Sequence, residues 1–287
     1  MERHDYADVV ERALLEDLGT AGDMTSAACV PADSRSAGSV VVRSPGVVAG
    51  LEVAAHVFTA VDDAVTFRPL VSDGDRVVAA TAIARVEGPT RSILTAERTA
   101  LNLLGRMSGV ATATRKLVDA VEGTGAVISD TRKTLPGMRA LDKYAVAMGG
   151  GVNHRFGLYD AVLIKDNHLA AAGGVAAAVA AARRRVGGEM TVEVEVDGLD
   201  QLQEVLTTDA DRVLLDNMEP DTLRRAVEVV GGKLVTEASG GITLANVRDI
   251  ARTGVDVISV GWITHSAPQL DTALDFHERE PDSEQQP

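Results

Sequence analysis

The second half of the chain carries six short apolar or alternating runs, at 127–129, 161–164, 191–196, 212–215, 234–236 and 257–260, and each ends in polar residues. Helical or Ala-rich segments fill the gaps, which predicts alternating strands and helices and therefore a parallel sheet. The last four runs start at 191, 212, 234 and 257, so they recur every 21 to 23 residues. Such even, short units suit a barrel better than a doubly wound sheet. No Gly-rich dinucleotide fingerprint follows the first run, which points the same way. A full eight-unit barrel needs about 250 residues, and too little chain is left here, so the expected barrel is open and incomplete.

The first half reads differently. Residues 5–18 place Val9, Val10, Ala13, Leu14 and Leu18 on one stripe with Gly19 as the stop, which predicts a short surface helix. From 37 to 87 come β-branched runs at 39–43, 47–48, 65–71 and 82–86, punctuated by Pro45-Gly46 and Asp73-Gly74-Asp75, and these predict a small antiparallel sheet. The stretch 71–78 resembles half of a lipoyl or biotinyl carrier motif. Such a carrier needs a modifiable lysine, and none precedes Lys116, so that function is excluded. From Thr90 the apolar residues Ile93, Ala100, Leu101, Leu104, Met107 and Ala111 predict a long helix or a helix pair linking two domains. The expected organisation is an N-terminal α/β sandwich with linker helix over 1–107, an open α/β barrel over 108–267, and a C-terminal helix with a disordered tail over 268–287. Residues 170–182 are expected to form one plain helix, with Arg183, Arg184 and Arg185 favouring its carboxyl end.

Charge narrows the function. Lys and Arg number 28 against 42 Asp and Glu, a net charge of −14, which disfavours nucleic acid and anionic membranes as partners. The single cysteine, Cys29, allows no internal disulfide, Cys-based zinc site or redox pair and fits a reducing cytoplasm. The amino terminus lacks an apolar signal core, and no run approaches the roughly 20 apolar residues of a membrane span.

Parallel barrels take their catalytic groups from the carboxyl ends of strands. Those ends carry Arg132 and Lys133, then Lys165, then Glu195, Asp216, Ser239-Gly240-Gly241 and Gly261, with His154-Arg155 in a loop between the first two strands. Residues 132–165 hold six Lys or Arg and only two acids, Asp142 and Asp160, inside an acidic protein. Cations gathered at one mouth repel unless an anion compensates, so the expected substrate carries several negative charges. Glu195 and Asp216 are hard oxygen donors suited to a hydrated Mg²⁺, and the glycine turns after the last two strands suit phosphate. Each feature alone has a plainer explanation. A lone arginine is a solvated charge, Glu195 could pair with a barrel lysine, Gly240-Gly241 could be a tight turn, His154 could be a core histidine, and Arg98 could snorkel from its helix. Convergence on one face favours the site.

The segments Glu97-Arg98-Thr99-Ala100-Leu101-Asn102, Asp130-Thr131-Arg132-Lys133-Thr134, Asn153-His154-Arg155, Ile164-Lys165-Asp166-Asn167-His168, Glu193-Val194-Glu195-Val196, Leu215-Asp216-Asn217 and Glu237-Ala238-Ser239-Gly240-Gly241-Ile242 stand in an order and spacing that resembles the quinolinate phosphoribosyltransferase family. The resemblance runs over nearly the whole chain. It implies a type II phosphoribosyltransferase fold, a small α/β sandwich followed by an open seven-stranded α/β barrel, one strand more than the runs above supply. It implies conversion of quinolinate and phosphoribosyl pyrophosphate to nicotinate mononucleotide, pyrophosphate and CO₂ in NAD synthesis, with Mg²⁺. It further implies a cytoplasmic homodimer in which Arg98 completes the neighbour's site. By motif, Arg132, His154, Arg155 and Lys165 would hold quinolinate. Lys133, Glu195 and Asp216 would act on phosphoribosyl pyrophosphate and its metal, and Ser239, Gly240 and Gly261 would take the 5′-phosphate. Three rivals stand beside it: a relative acting on nicotinate or an inactive paralogue associated with molybdenum transport, a Schiff-base aldolase using Lys165, and a non-catalytic phosphometabolite-binding protein.

Overall fold

A computed structural model describes residues 1–277. In chain order they form α1 (Ala7–Leu18), α2 (Met24–Cys29), β1 (Arg35–Val42), β2 (Gly46–Val47), α3 (Leu51–Val61), β3 (Thr66–Pro69), β4 (Arg76–Val77), β5 (Ala82–Pro89), α4 (Thr90–Ala120), β6 (Val127–Ser129), α5 (Arg139–Met148), β7 (Val162–Ile164), α6 (Asp166–Ala172), α7 (Val175–Val186), β8 (Val192–Val196), α8 (Leu199–Val205), β9 (Arg212–Asp216), α9 (Pro220–Val230), β10 (Val235–Ser239), α10 (Val247–Ala251), β11 (Val257–Ser259), α11 (Trp262–His265) and β12 (Thr272–Phe276). Among the described residues, one unit comprises 1–112, 140–148 and 267–277, and the other comprises 113–139 and 149–266. No helix among the described residues is long and apolar enough to cross a membrane.

The first unit is built on an antiparallel sheet in the order β12-β1-β5-β3. Gly38, Val40 and Val42 of β1 are buried while their neighbours are not, the period-two pattern of a sheet with one covered face. Helix α3 turns Val53, Ala54, Val57 and Phe58 inward, and Phe58 stacks on Phe67 of β3 with ring centroids 5.6 Å apart. Val53, Val57 and Phe58 each contribute roughly 1.5–3 kcal/mol by burial. This helix is absent from the sequence expectations, because its helical spacing is hidden among β-branched residues and its cap comes from afar. The Asp73 carboxylate accepts the N–H groups of Gly50 and Leu51 at 3.0 and 3.1 Å, and the Tyr144 hydroxyl at 2.8 Å.

Of the two alternatives for the stretch from Thr90, the structure has the single long helix, α4. Two expectations change here. The C-terminal helix expected in 268–287 is, over its described part, the strand β12, which pairs with β1 through Val40 and Leu274. The free edge of β1 supplies backbone partners that no local pattern announces, and the expected disordered tail lies outside the described residues. The plain helix expected over 170–182 is split between α6 and α7, because Gly173 and Gly174 adopt φ of +86° and +119°, where only glycine sits without strain.

The second unit is a six-stranded parallel sheet in the order β6-β11-β10-β9-β8-β7. All six strands fall on the expected runs. In β8, Val192, Val194 and Val196 alternate with Glu193 and Glu195, so the valines share one face and both carboxylates the other. Pairing of β6 with β11 leaves β6 and β7 as the two edges. Among the described residues the sheet has six strands, one fewer than the seven the resemblance implies. Beyond them Val152 forms an isolated parallel bridge to Ser129 on the β6 edge, with its N–H donating to Ile128 at 2.8 Å and its carbonyl accepting from Asp130 at 3.2 Å. A single bridged residue has no periodicity to read.

Candidate active site

The carboxyl ends of these strands surround a cavity of about 560 Å³ in the second unit. Arg132 and Lys133 enter it after β6, His154 and Arg155 from the loop after α5, and Lys165 from the end of β7. Glu195 of β8, Asp216 of β9 and Ser239-Gly240-Gly241 at the end of β10 line it as well. Two candidates fall outside this lining. Arg98 is exposed on α4 in the other unit, and Gly261 lies under the Lys133 side chain, whose Cδ would sit 3.0 Å from a Cβ at that position.

The loop bearing the cations is anchored by backbone bonds rather than by its own length. Buried Asp130 accepts the His154 N–H at 2.9 Å, and Arg155 donates to the Ala161 carbonyl at 3.0 Å. Thr264 donates its hydroxyl to the Lys133 carbonyl at 2.8 Å, fixing the backbone after β6. The guanidinium Nε of Arg132 is buried without a hydrogen-bond partner. Burial, and then the like charge of Arg132, lower the proton affinity of Arg155 below that of an ordinary guanidinium. Two arginines lining one cavity, with the charge of one disfavouring the charge of the other, favour an anion beside them.

Other charges are already compensated. The Lys165 ammonium pairs with the Glu195 carboxylate, the plainer alternative weighed for Glu195. An ammonium held this way is a poor Schiff-base amine, which weakens the aldolase alternative. His154 Nε2 lies 3.1 Å from Glu193 Oε2 and 3.5 Å from Glu237 Oε1, deep in the barrel. Burial disfavours a charged His154, but the Glu193 hydrogen bond and the two nearby carboxylates outweigh it and raise its proton affinity. Since His154 Nδ1 accepts the Arg155 N–H at 2.7 Å, the geometry corresponds to a neutral ring with its proton on Nε2. That proton occupies the direction a cation would need, so the three residues form a proton-holding cluster and not a metal centre, although their ligand atoms lie within 4.8 Å of one another. Both Glu237 oxygens lack a hydrogen-bond partner. Burial, and then the Glu193 charge, push the Glu237 carboxyl up to about 7. Neither Glu193 nor Glu237 had a functional role in the sequence reading, and only the Val-Glu alternation of β8 hinted at inward carboxylates.

Glu195 and Asp216 share the cavity face of adjacent strands, since Glu195 registers with Leu214 and Asp216 lies two residues on. Asp216 Oδ2 accepts the Asn217 side-chain amide at 2.7 Å, leaving Oδ1 without a partner among the described residues. Beside them, Gly240 and Gly241 have φ of +93° and +61°, and neither N–H has a hydrogen-bond partner among the described residues. Hard oxygen donors next to unused backbone N–H groups fit a hydrated divalent cation and a phosphate.

Known proteins are similar in sequence and architecture. The family model for the quinolinate phosphoribosyl transferase N-terminal domain matches residues 23–108, and that for the C-terminal domain matches 110–275. A carboxylating nicotinate-nucleotide pyrophosphorylase from Mycobacterium leprae is 48% identical over 274 residues, covering 94% of this chain and 96% of the relative. A probable enzyme of the same name from Bacillus subtilis is 43% identical, covering 91% and 90%. Among solved structures, the nicotinate-nucleotide pyrophosphorylase of Francisella tularensis superposes with a TM-score of 0.93 at 40% identity, covering 96% of this chain and 98% of that one. The chain therefore belongs to the quinolinate phosphoribosyltransferase family.

Proposed function

We propose that this protein transfers the phosphoribosyl group of phosphoribosyl pyrophosphate to quinolinate, giving nicotinate mononucleotide, pyrophosphate and CO₂ for NAD synthesis in the cytoplasm. The observation that carries this reading is the division of one cavity into a cationic side, where Arg132 and Arg155 repel each other, and a side of carboxylates and unused backbone N–H groups. A pyridine with adjacent carboxylates satisfies the first. Arg132 and Arg155 would grip the two carboxylates, with Lys165 at their edge and His154 holding the Arg155 backbone in place. A single carboxylate, as in nicotinate, would leave one guanidinium unmet.

On the other side, the Ser239 hydroxyl and the Gly240 and Gly241 N–H groups would seat the 5′-phosphate, with Lys133 over the diphosphate and packed on Gly261. Glu195 and Asp216 would hold Mg²⁺, which when bound offsets the charge of the departing pyrophosphate. The same carboxylates favour the positive ribose that forms as the leaving bond breaks. The pyridine nitrogen then bonds to the anomeric carbon as pyrophosphate leaves. The positive ring nitrogen stabilises the electron pair left on the neighbouring ring carbon when its carboxylate departs as CO₂, and that carbon takes up a proton from water. Rate enhancement comes chiefly from holding two mutually repelling anions in register.

The reading extends to a homodimer. Arg98 stands exposed on α4, and the loop after Arg155 exposes Leu158 and Tyr159 at 74% and 71% of their surface, an apolar patch suited to cover by a second copy. Purified protein supplied with quinolinate, phosphoribosyl pyrophosphate and Mg²⁺ should form nicotinate mononucleotide, and nicotinate in place of quinolinate should not. A folded protein that binds both substrates without product would overturn the assignment. Mixing inactive Arg98→Ala and Arg132→Ala proteins should restore part of the activity if Arg98 serves the neighbouring site; no recovery in exchanged dimers would remove that role.

A further inference from the structure

Asn217 is one of only two non-glycine residues with positive φ among the described residues, at +54°. Asparagine tolerates this left-handed region better than other side chains, yet the conformation still needs a cause. Burial is not the cause, because Asn217 is exposed. Its partners supply one. The Asn217 N–H donates to the Ser239 carbonyl at 2.8 Å, extending the β9–β10 ladder one step beyond the Asp216–Ser239 pair. Its Nδ2 donates to Asp216 Oδ2 at 2.7 Å. Its Oδ1 lies only 2.1 Å from where a Cβ on Gly240 would stand, with its Cγ at 2.5 Å. The amide carbonyl therefore fills the space a Gly240 side chain would need, and two positive-φ residues at neighbouring strand ends lie against each other.

We infer that Asn217 is a positioning residue that links the two ends of the phosphoribosyl donor site, aiming the Asp216 carboxylate with its amide N–H while its amide face sets the Gly240 turn. The inference rests on the donor assignment above and adds a residue to it. Linking through one side chain means that the carboxylate and the glycine turn keep a fixed separation, which a donor with phosphate at one end and diphosphate at the other requires. It also gives Gly240 two independent reasons to be glycine, its φ and the amide beside it.

Asn217→Gly relieves the backbone strain while deleting the amide, so it separates positioning from stability. Expected for this variant are an unchanged or raised melting temperature, a KM for phosphoribosyl pyrophosphate raised at least tenfold, a matching rise in the Mg²⁺ concentration for half-maximal rate, and a KM for quinolinate within twofold of the wild type. Calorimetric binding of pyrophosphate with Mg²⁺ should weaken in parallel, without turnover. Asn217→Asp, which keeps the shape but faces Asp216 with a second carboxylate, should weaken donor binding further. Donor binding unaltered in Asn217→Gly, or quinolinate KM raised equally, would overturn the inference. Failure of the wild type to make nicotinate mononucleotide would instead overturn the donor assignment. The positioning claim would then be judged on a crystal structure of ligand-free Asn217→Gly, where an unmoved Asp216 carboxylate and Gly240 turn would refute it.

Discussion

The two sides of the cavity are made from one sheet but from different parts of it. Arg132, Lys133 and Lys165 follow the edge strands β6 and β7, and His154 and Arg155 hang from the loop bridged to the β6 edge. Glu195, Asp216, Glu237 and the glycine turn come from three of the four inner strands, β8, β9 and β10. Edges carry loops that must be tethered one bond at a time, here by the Asp130 carboxylate on the His154 N–H and by Arg155 on the Ala161 carbonyl, while Arg132 Nε stays buried without a partner. The middle strands have fixed pleats, so their carboxylates are short arms at set spacing. They are met locally: Glu195 pairs with Lys165, Asp216 accepts the Asn217 amide, and burial raises the proton affinity of Glu237. Unmet charge on one side and prearranged carboxylates on the other is what a site for two different anions requires.

The sharpest way to break this comparison is to remove one residue from each side. Arg132→Ala should lower kcat/KM for quinolinate by about a thousandfold, roughly 4 kcal/mol of lost stabilisation, with the KM for phosphoribosyl pyrophosphate little changed. Asp216→Ala should show the reverse. Steady-state kinetics with each substrate varied in turn checks both, and equal losses for the two substrates in either variant would erase the distinction between the sides.

The proton on Glu237 gives the next largest effect. Its carboxyl titrates near 7 in the folded chain against an ordinary 4.5, so the native state binds that proton more tightly than the unfolded chain. The stability it contributes is fully present below about pH 4.5 and is lost as pH rises through 7, on the order of 3 kcal/mol in all. Glu237→Gln keeps the shape without the titration. Urea unfolding at pH 5 and pH 7.5 should show a smaller fall in stability for the variant than for the wild type, and parallel falls would mean that the cluster holds no shared proton.

What the sequence disclosed follows the same division. The barrel strands were legible because burial on both faces or strict alternation leaves a local pattern, as in Val192 to Val196, and the cations were legible because they sit just past those patterns. Contacts between distant segments were not. The capping of α3 by Asp73, the pairing of β12 with β1 and the Glu193–His154–Glu237 cluster each join residues far apart in the chain. Asn217 was visible as a residue next to Asp216, but its left-handed backbone depends on β10 and leaves no mark in the order of amino acids.

Lys165 stands where the two sides meet, a cation from an edge strand already paired with a carboxylate of a middle strand. Its removal should therefore be felt by both substrates, and less strongly by either than the removal of a residue committed to one. Lys165→Met preserves the packing of the stem while freeing Glu195, which then repels the carboxylates of quinolinate and binds metal without competition. The expected result is a KM for quinolinate raised about tenfold, 1.4 kcal/mol, together with a lower Mg²⁺ requirement for use of phosphoribosyl pyrophosphate. The opposite sign of the two changes is the informative part. A Lys165 that served only to hold quinolinate would leave the Mg²⁺ dependence untouched, whereas one that also restrains Glu195 must shift it, and titrating Mg²⁺ at saturating quinolinate decides between them.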